Sequence, residues 1–268
     1  MNRLALIDAD SIVYILAWKH RDDPEAFGLE HSIDSFIESI LVSTNADCVI
    51  GAFTADTHFR YPIYKYADYK GHRGEKPIWV SDIELRAMHY MMDNYKFIKP
   101  NYIEADDVLS YIPQILPKDT YEFVYCSPDK DLKQLAGVHY DYRTLTTVVI
   151  SEQEAMYNLA YQLLIGDVTD NIKGIPGIGK VKAAKILKDY THHLSGVFQE
   201  YIKAFGEYYG NIIYEQTFLA VSLLTPELVP IIQTNLTSEA NAMLLKDIEV
   251  LNRLEPFKNP FTNYEQLE

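Results

Sequence analysis

The chain is poor in cysteine and in basic charge, and it has no long apolar run. Its two cysteines, Cys48 and Cys126, both sit inside short apolar stretches. Thiols so placed read as reduced core residues of a cytosolic protein, not as a disulfide framework. No apolar run reaches the ~18 residues that a membrane span needs. The N-terminal MNRLALIDAD breaks its apolar run at Asp8 and reads as a strand, not as a signal peptide. Proline and glycine number only 12 each in 268 residues, so no low-complexity or disordered tail is expected. There is no internal repeat. What remains is a globular chain, long enough for one large domain or two small ones with ample core.

Basic residues are outnumbered, 24 Lys and Arg against 38 Asp and Glu, for a net charge of −14. Taken alone, this argues against nucleic acid, because phosphate binding normally shows as a basic surface. The objection loses force if many acids are gathered in one metal site, which leaves the rest of the surface far less acidic.

The hydrophobic pattern alternates strands with helices for about 150 residues and then reads as helix only. Leu4–Ile7, Cys48–Phe53 and Tyr121–Cys126 are short apolar runs of the kind that make buried parallel strands. Val138–Tyr142 and Thr146–Ile150 read as a hairpin turning at Arg143-Thr144. Helices are expected over Ser11–Trp18, Ile33–Ser43, and from a Ser81/Glu84 capping box to about Lys96. Another begins around Asn101–Ile112, and one follows the Ser151/Glu154 capping box. Helices are also expected at roughly 197–208, 211–224 and 238–254, with an irregular tail over Pro256–Glu268. The fold class is therefore α/β: a mostly parallel central sheet flanked by helices, then C-terminal helices. The boundary falls near 150, giving a core over 1–150 and a helical region over 151–268.

Three strand-like runs end in acids: Asp8, Asp56, and the pair Asp129 and Asp131. A helix start carries Glu104, Asp106 and Asp107, more than dipole or capping needs require. The stretch Gly166–Leu187 adds Asp167 and Asp170. If the strands are parallel neighbours, all nine converge on one edge of the sheet, where α/β proteins bind ligands. Nine carboxylates in one cleft must protonate or recruit cations. An oxygen-rich set without His or Cys suits Mg²⁺ or Mn²⁺. Any one such Asp, alone, is more often a turn former or a helix cap.

Gly174-Ile-Pro-Gly-Ile-Gly179-Lys180 has the outline of a nucleotide-binding P-loop, but Val181 stands where Ser or Thr is needed, and DVTDNIK before it is no strand. A helix–hairpin–helix module over about 152–190 fits better. Gly174, Gly177 and Gly179 let backbone N–H groups approach a phosphate, and Lys180, Lys182, Lys185 and Lys188 follow on a helix. Such a module grips duplex backbone without reading sequence. The plainer alternative is a tight turn with solvated lysines. A second handhold lies at 58–77, where Tyr61, Tyr64, Tyr66 and Tyr69 interleave with Arg60, Lys65, Lys70 and Arg73. Aromatics alternating with cations suit unpaired bases and phosphates. The alternative for the tyrosines is that they face the core. Lys70 and Arg73, flanking Gly71, are the stronger candidates for phosphate.

Five stretches together, LIDAD (6–10), the FR…YKGHR segment (59–73), IEADD (103–107), SPDKDLKQL (127–135) and GDVTDNIKGIPGIGK (166–180), resemble the flap endonuclease and 5′–3′ exonuclease family, particularly its phage and bacterial members. The resemblance runs from Asp8 to about Leu187. It implies a PIN-like nuclease core and a phosphodiesterase that cuts DNA at 5′ ends and branched junctions in replication or repair, using two or more Mg²⁺ ions for which Mn²⁺ substitutes. The nine acids fall on the family's metal-site positions. Of these, Asp106, Asp129 and Asp131 are expected as the tighter ligands, and Asp167 and Asp170 as ligands of a weaker ion. Lys70 and Arg73 fall on basic residues near the scissile phosphate, under an arch-like segment at about 58–97. Arg60 and Tyr69 join the DNA contacts. The glycine turn implies a duplex grip and a K⁺ site. Asp10 is an acid where relatives often carry a small polar residue. The partners so implied are branched or nicked duplex DNA with a 5′ single strand, and replication proteins, for a cytoplasmic monomer. Two other readings stay open: a PIN-like ribonuclease, and a non-catalytic junction-binding protein.

Overall fold

The structure is a computed structural model that describes residues 1–23, 27–72, 74, 77–188 and 193–261. In chain order its elements are β1 (Asn2–Asp8), α1 (Asp10–Lys19), α2 (Leu29–Thr44), β2 (Cys48–Ala52), α3 (Arg60–Ile63), α4 (Ile78–Tyr95), α5 (Ala105–Ile115), β3 (Tyr121–Cys126), β4 (Gly137–Asp141) and β5 (Thr146–Ile150). There follow α6 (Glu152–Ile165), β6 (Gly166–Asp167), β7 (Ile172–Lys173), α7 (Lys180–Lys188), α8 (His193–Phe205), α9 (Glu207–Val221), α10 (Val229–Thr234), α11 (Ser238–Leu251) and β8 (Phe257–Lys258).

The apolar runs at β1, β2 and β3 do become the buried centre of a parallel sheet. The strand order is β5-β4-β3-β1-β2-β8, with β4, β3, β1 and β2 parallel and only the two edges antiparallel. A parallel sheet covered on both faces needs strands apolar on both sides. Accordingly, Ala5, Ile7, Val49 and Val124 pack with α1, α2 and α4 on one face, while Leu4, Leu6, Ile50 and Tyr125 pack with α5, α10 and α11 on the other. Asp8, at the C-terminal end of central β1, therefore opens at the sheet's carboxyl edge. Cys48 and Cys126 are buried free thiols.

Three expectations about elements are corrected. Helix α4 starts at Ile78, with Pro77 as its N-cap residue, so Ser81 and Glu84 lie inside the helix instead of capping it. A short helix, α10, intervenes where none was expected. The segment expected as an irregular tail from Pro256 supplies β8, which pairs with β2, and Asn259 binds the 46–47 backbone from both its N–H and its side-chain amide. Two residues of strand carry too little periodicity to be seen in sequence. The C-terminal helices are also tied to the core by Asp247. Its carboxylate accepts from the Asn101 and Tyr102 N–H groups at 2.6–3.1 Å, just ahead of the acid-bearing α5.

A third cluster joins α6, α7, α8 and α9. Between α6 and α7 the chain makes a two-stranded hairpin, β6–β7, a fourth correction because the sequence reading expects no strand in DVTDNIK; the glycine turn follows, anchored by buried Ile175 and Ile178. A Cβ on Gly174 would lie 2.2–2.5 Å from the Ile165 and Leu164 backbone, so this position is closed to any side chain; Gly179 faces open space. Gly174→Ala is expected to lower the melting temperature by several degrees, about 1–3 kcal/mol for overpacking against backbone that cannot yield. Gly179→Ala shifts it by far less, and equal melting curves for the two variants would refute the close approach.

Candidate active site

An open cleft of about 860 Å³ lies at the carboxyl edge of the sheet. Seven of the nine acids singled out in the sequence line it: Asp8, Asp56, Glu104, Asp106, Asp129, Asp131 and Asp170. Asp10 joins them, and Lys70, Lys99, Lys130 and Arg143 supply cations at its walls. The local reasons differ. Asp8 ends β1, Asp129 and Asp131 lead into a 3-10 turn after β3, and Glu104 is the N-cap of α5.

Helix α5 divides its three acids among three jobs. Glu104 and Asp107 form a capping box, each side chain bonding the other's backbone. Asp107 is wholly buried and engages Arg60 in a two-pronged pair at 2.5 and 2.7 Å, while also accepting from the Leu224 N–H at 3.0 Å. Asp106 turns into the cleft beside Glu104, and its Oδ1 is buried without a hydrogen-bond partner among the described residues. Oxygens of the three carboxylates lie within 4.8 Å of one another. The sequence reading makes Asp107 a metal ligand; the structure instead spends its oxygens on Arg60 and on backbone.

Arg60 is corrected in the same way. The sequence reading places it among the DNA contacts, yet it is 2% exposed, with its guanidinium bonded to Asp107, Glu104, Ala220 O and Ser222 O. Tyr69 is likewise 3% exposed and offers its hydroxyl to Glu104 at 3.1 Å and Asp170 at 3.2 Å, not to a base. Tyr64 is buried too, so for these two tyrosines the core-facing alternative holds, whereas Tyr61 stays exposed.

Lys70 reaches the cleft from a left-handed backbone position (φ 56°) that a non-glycine residue rarely adopts. Its N–H donates to Asp170 O at 2.8 Å and its ammonium pairs with Glu104. Arg73 lies outside the described residues. Asp56 sits at the rim, largely exposed, and pairs with Lys99 at 2.7 Å. Asp167 is buried behind the cleft wall, where Lys130 and Gln162 bind both it and Asp131. Sequence reasoning missed Lys130, Lys99, Gln162 and Ser127, whose hydroxyl donates to Asp8 at 2.8 Å. Lys130 had a signal, since it stands between two acids in SPDKD; Gln162, on α6, had none.

The electrostatics follow from this crowding. Burial, with Asp10 next, pushes the Asp8 carboxyl up to about 7. Burial and the Asp129 charge push Asp131 up to about 6, against the pull of Lys130. Burial, then Asp107 and Glu104, raises Asp106 well above the usual carboxylate range. Burial alone would raise Glu104 as well, but Arg60, His58 and Lys70 outweigh it and hold this carboxyl at about 2. The cleft thus combines one firmly ionised, internally neutralised acid with several that resist ionising. A carboxylate-rich lining without His or Cys, with one buried carboxylate oxygen unpartnered among the described residues, fits a hard divalent cation.

On the other arm, Lys180, Lys182, Lys185 and Lys188 are exposed on α7, while Ala183 and Leu187 face the core. Gly177 takes φ +76° and faces open space, so the turn's backbone is accessible.

No family model matches the chain. Among curated proteins, it is 26% identical over 209 residues to DNA polymerase I of Geobacillus stearothermophilus, covering 70% of this chain and 24% of that one. It is 25% identical over 199 residues to a 5′-3′ exonuclease of Buchnera aphidicola, covering 67% of this chain and 65% of that one. A bacteriophage T5 flap endonuclease, solved as a pseudo-enzyme–product complex with DNA and metal ions, aligns with TM-score 0.67 at 16% identity, over 94% of this chain and 100% of the other. The chain resembles the 5′ nucleases. It spans about a quarter of the length of the polymerases it matches, and its likeness to the T5 nuclease is one of fold.

Two outcomes test the site. Removing the Arg60 charge strands Asp107 in the interior, so Arg60→Met is expected to cost about 3–5 kcal/mol of stability in a urea titration; a loss under about 1 kcal/mol would count against the pair as a tie. The raised acids set a pH slope. Between the ordinary 3.8 and about 7, the folded state keeps a proton on Asp8 that the unfolded chain has released, so stability falls as pH rises through this window. The Glu104 contribution is complete above its ordinary 4.5 and does not overlap pH 6–8. His139, held low by burial, acts in the opposite sense, so the reading is a difference. In chelator, the melting temperature of the wild type is expected to fall more from pH 6 to pH 8 than that of Asp8→Asn, and added divalent cation to help most at pH 8.

Proposed function

We propose that the chain is a divalent-metal-dependent 5′ nuclease, hydrolysing DNA phosphodiester bonds as a 5′–3′ exonuclease and at 5′ flaps. The observation that carries this reading is the unpartnered, buried Asp106 oxygen among crowded carboxylates at the carboxyl edge of the sheet. Asp106, Asp8, Asp129 and Asp131 would hold the ions, with Asp170 beside them. Mg²⁺ is the ion this reading favours, with Mn²⁺ able to replace it and K⁺ at the glycine turn. When bound, the ions acidify water and neutralise charge on the phosphate.

The chain's own groups then divide the remaining work. Glu104, ionised and tied to Arg60, holds the Lys70 ammonium at the cleft wall until a phosphate oxygen replaces the carboxylate. Arg73 joins Lys70 in this role. The α7 lysines and the glycine turn grip duplex backbone. Gln162 couples that grip to the chemistry, because it stands on α6 and bonds Asp131 and Asp167 at 3.0 and 3.1 Å. The spacing from cleft to duplex grip is thereby held by packing, and it positions the cut near a junction. DNA as the substrate is supported by the T5 neighbour solved with DNA, and 5′-3′ exonuclease activity by the curated relative of that name. Branched or nicked duplex with a 5′ single strand, a monomeric state and a cytoplasmic setting complete the reading; no helix among the described residues is long and apolar enough to cross a membrane.

A 5′-labelled flap substrate beside a nicked duplex, with Mg²⁺ or with chelator, tests the whole. Mg²⁺-dependent release of short 5′ products is expected. Asp106→Asn should abolish cleavage by at least about 100-fold, while DNA binding persists and the melting temperature in chelator does not fall, since one ionisable group is removed from a crowded set of acids. Cleavage by the wild type in chelator, or full activity of the variant, would overturn the assignment.

A further inference from the structure

The hairpin β6–β7 is bonded at several points to the segment that carries Lys70. The Lys70 N–H donates to Asp170 O at 2.8 Å, the Lys173 N–H donates to the Tyr64 hydroxyl at 2.7 Å, and the Tyr69 hydroxyl donates to the Asp170 carboxylate at 3.2 Å. Asn171 adds a side-chain bond to this seam. It ends the hairpin turn, where its N–H donates to Val168 O, and its backbone is left-handed at φ 56°. Its side-chain amide donates to Asp68 O at 2.7 Å, and its side-chain carbonyl accepts from the Lys173 ammonium at 2.7 Å. A carbonyl only accepts and an ammonium only donates, so the two partners leave the amide one orientation. The Asp68 carbonyl also closes the 68–71 turn by accepting from the Gly71 N–H at 3.0 Å, and Lys70 lies inside this turn. Lys70 and Asn171 thus carry the same φ of 56° on opposite sides of the seam.

We infer that Asn171 is the positioning residue for Lys70: its amide holds the 68–71 turn against the β6–β7 hairpin and so sets where the Lys70 ammonium stands in the cleft. The inference rests on the nuclease reading and adds to it what fixes the cation. A lysine keeps a left-handed backbone only where its surroundings over-determine it. Asparagine takes that conformation far more readily. The strain therefore sits on the Lys70 side of the seam, and the hairpin is the side that dictates. The Lys70 N–H bond to Asp170 O fixes one point of the turn, the Asn171 amide on Asp68 O fixes a second, and two points set a direction. A long side chain magnifies any rotation at its Cα, and the help that a cation gives a phosphate depends on placement. Three residues beyond Asn171 the chain reaches Gly174, closed against the Ile165 backbone, where the glycine turn begins. One short stretch thus orients the cleft cation and starts the duplex grip.

Two substitutions in the full chain isolate the amide. Asn171→Gly keeps the left-handed backbone accessible and adds no charge. Asn171→Asp keeps the side chain's shape and its acceptor for Lys173. What both lose is the donor to Asp68 O. On a labelled 5′ flap with Mg²⁺, each is expected to lower kcat by about tenfold, while KM, and the Kd for duplex in chelator, change by less than about twofold. In a Lys70→Ala background the same substitutions should lower kcat no further, because Asn171 acts through Lys70. Hydrogen exchange in chelator reads the seam without catalysis. The peptide spanning 66–71 should exchange about tenfold faster in both variants, while β1 and α5 keep their protection. Full kcat in either variant, a loss that multiplies with that of Lys70→Ala, or unchanged exchange over 66–71 overturns the inference. So does faster exchange across the whole chain, which would make Asn171 a residue of general stability. A wild type that cleaves flaps no faster than these variants refutes the positioning role and leaves the nuclease reading standing. Faster exchange confined to 66–71, in variants of a wild type that cleaves no DNA, supports the positioning of Lys70 and refutes the nuclease reading.

Discussion

Arg60 and the acids around it constrain the rest of the site. A fully buried guanidinium is tolerable only with its charge matched and its donors bonded. Asp107 and Glu104 supply the charge, and the Ala220 and Ser222 carbonyls accept the remaining bonds. The arrangement ties three distant parts of the chain: α3, the start of α5, and the end of α9. It fixes the pitch of the first turn of α5, so that Asp106, between two committed carboxylates, has one direction left, into the cleft. The consequence is an acid with one oxygen that no group among the described residues satisfies, at the point where strands of a parallel sheet end.

The same economy runs through the rest of the cleft. Three of the four cleft cations sit on particular acids: Lys70 on Glu104, Lys130 on Asp167 and Asp131, Lys99 on Asp56. These pairs neutralise the walls and leave the unmatched negative charge near Asp8, Asp106 and Asp129. The overall charge of −14 is thus no argument against an anionic polymer. Part of it is held in check by buried cations, part is placed where hard cations would sit, and the lysines of α7 stand on a separate arm.

What was legible in the sequence was whatever depends on short range. Apolar runs ending in acids located the parallel strands and the carboxyl edge, because strand burial and side-chain alternation are local properties. The Ser151/Glu154 box, the glycine turn with its buried isoleucines and the exposed lysine face of α7 were readable for the same reason. What failed was the partner of each charge. Arg60 and Lys70 stand ten residues apart in one basic, aromatic stretch, and nothing local says that one is entombed and the other faces the cleft. Asp106 and Asp107 are adjacent, and only the helix phase, set by the capping box, turns one inward and the other out.

The sequence by itself determined the α/β class, the three apolar parallel strands β1, β2 and β3 and the acids that follow them, because these depend on periodicity and on where apolar runs stop. Tertiary structure alone decided which acids stay unpaired, where the C-terminal strand β8 returns to the sheet, and that Tyr64 and Tyr69 face the interior while Tyr61 does not. Each of those depends on residues far apart in the chain, such as Tyr64 with Lys173 or Arg60 with Ala220, being packed side by side, and packing at such separations leaves no local trace.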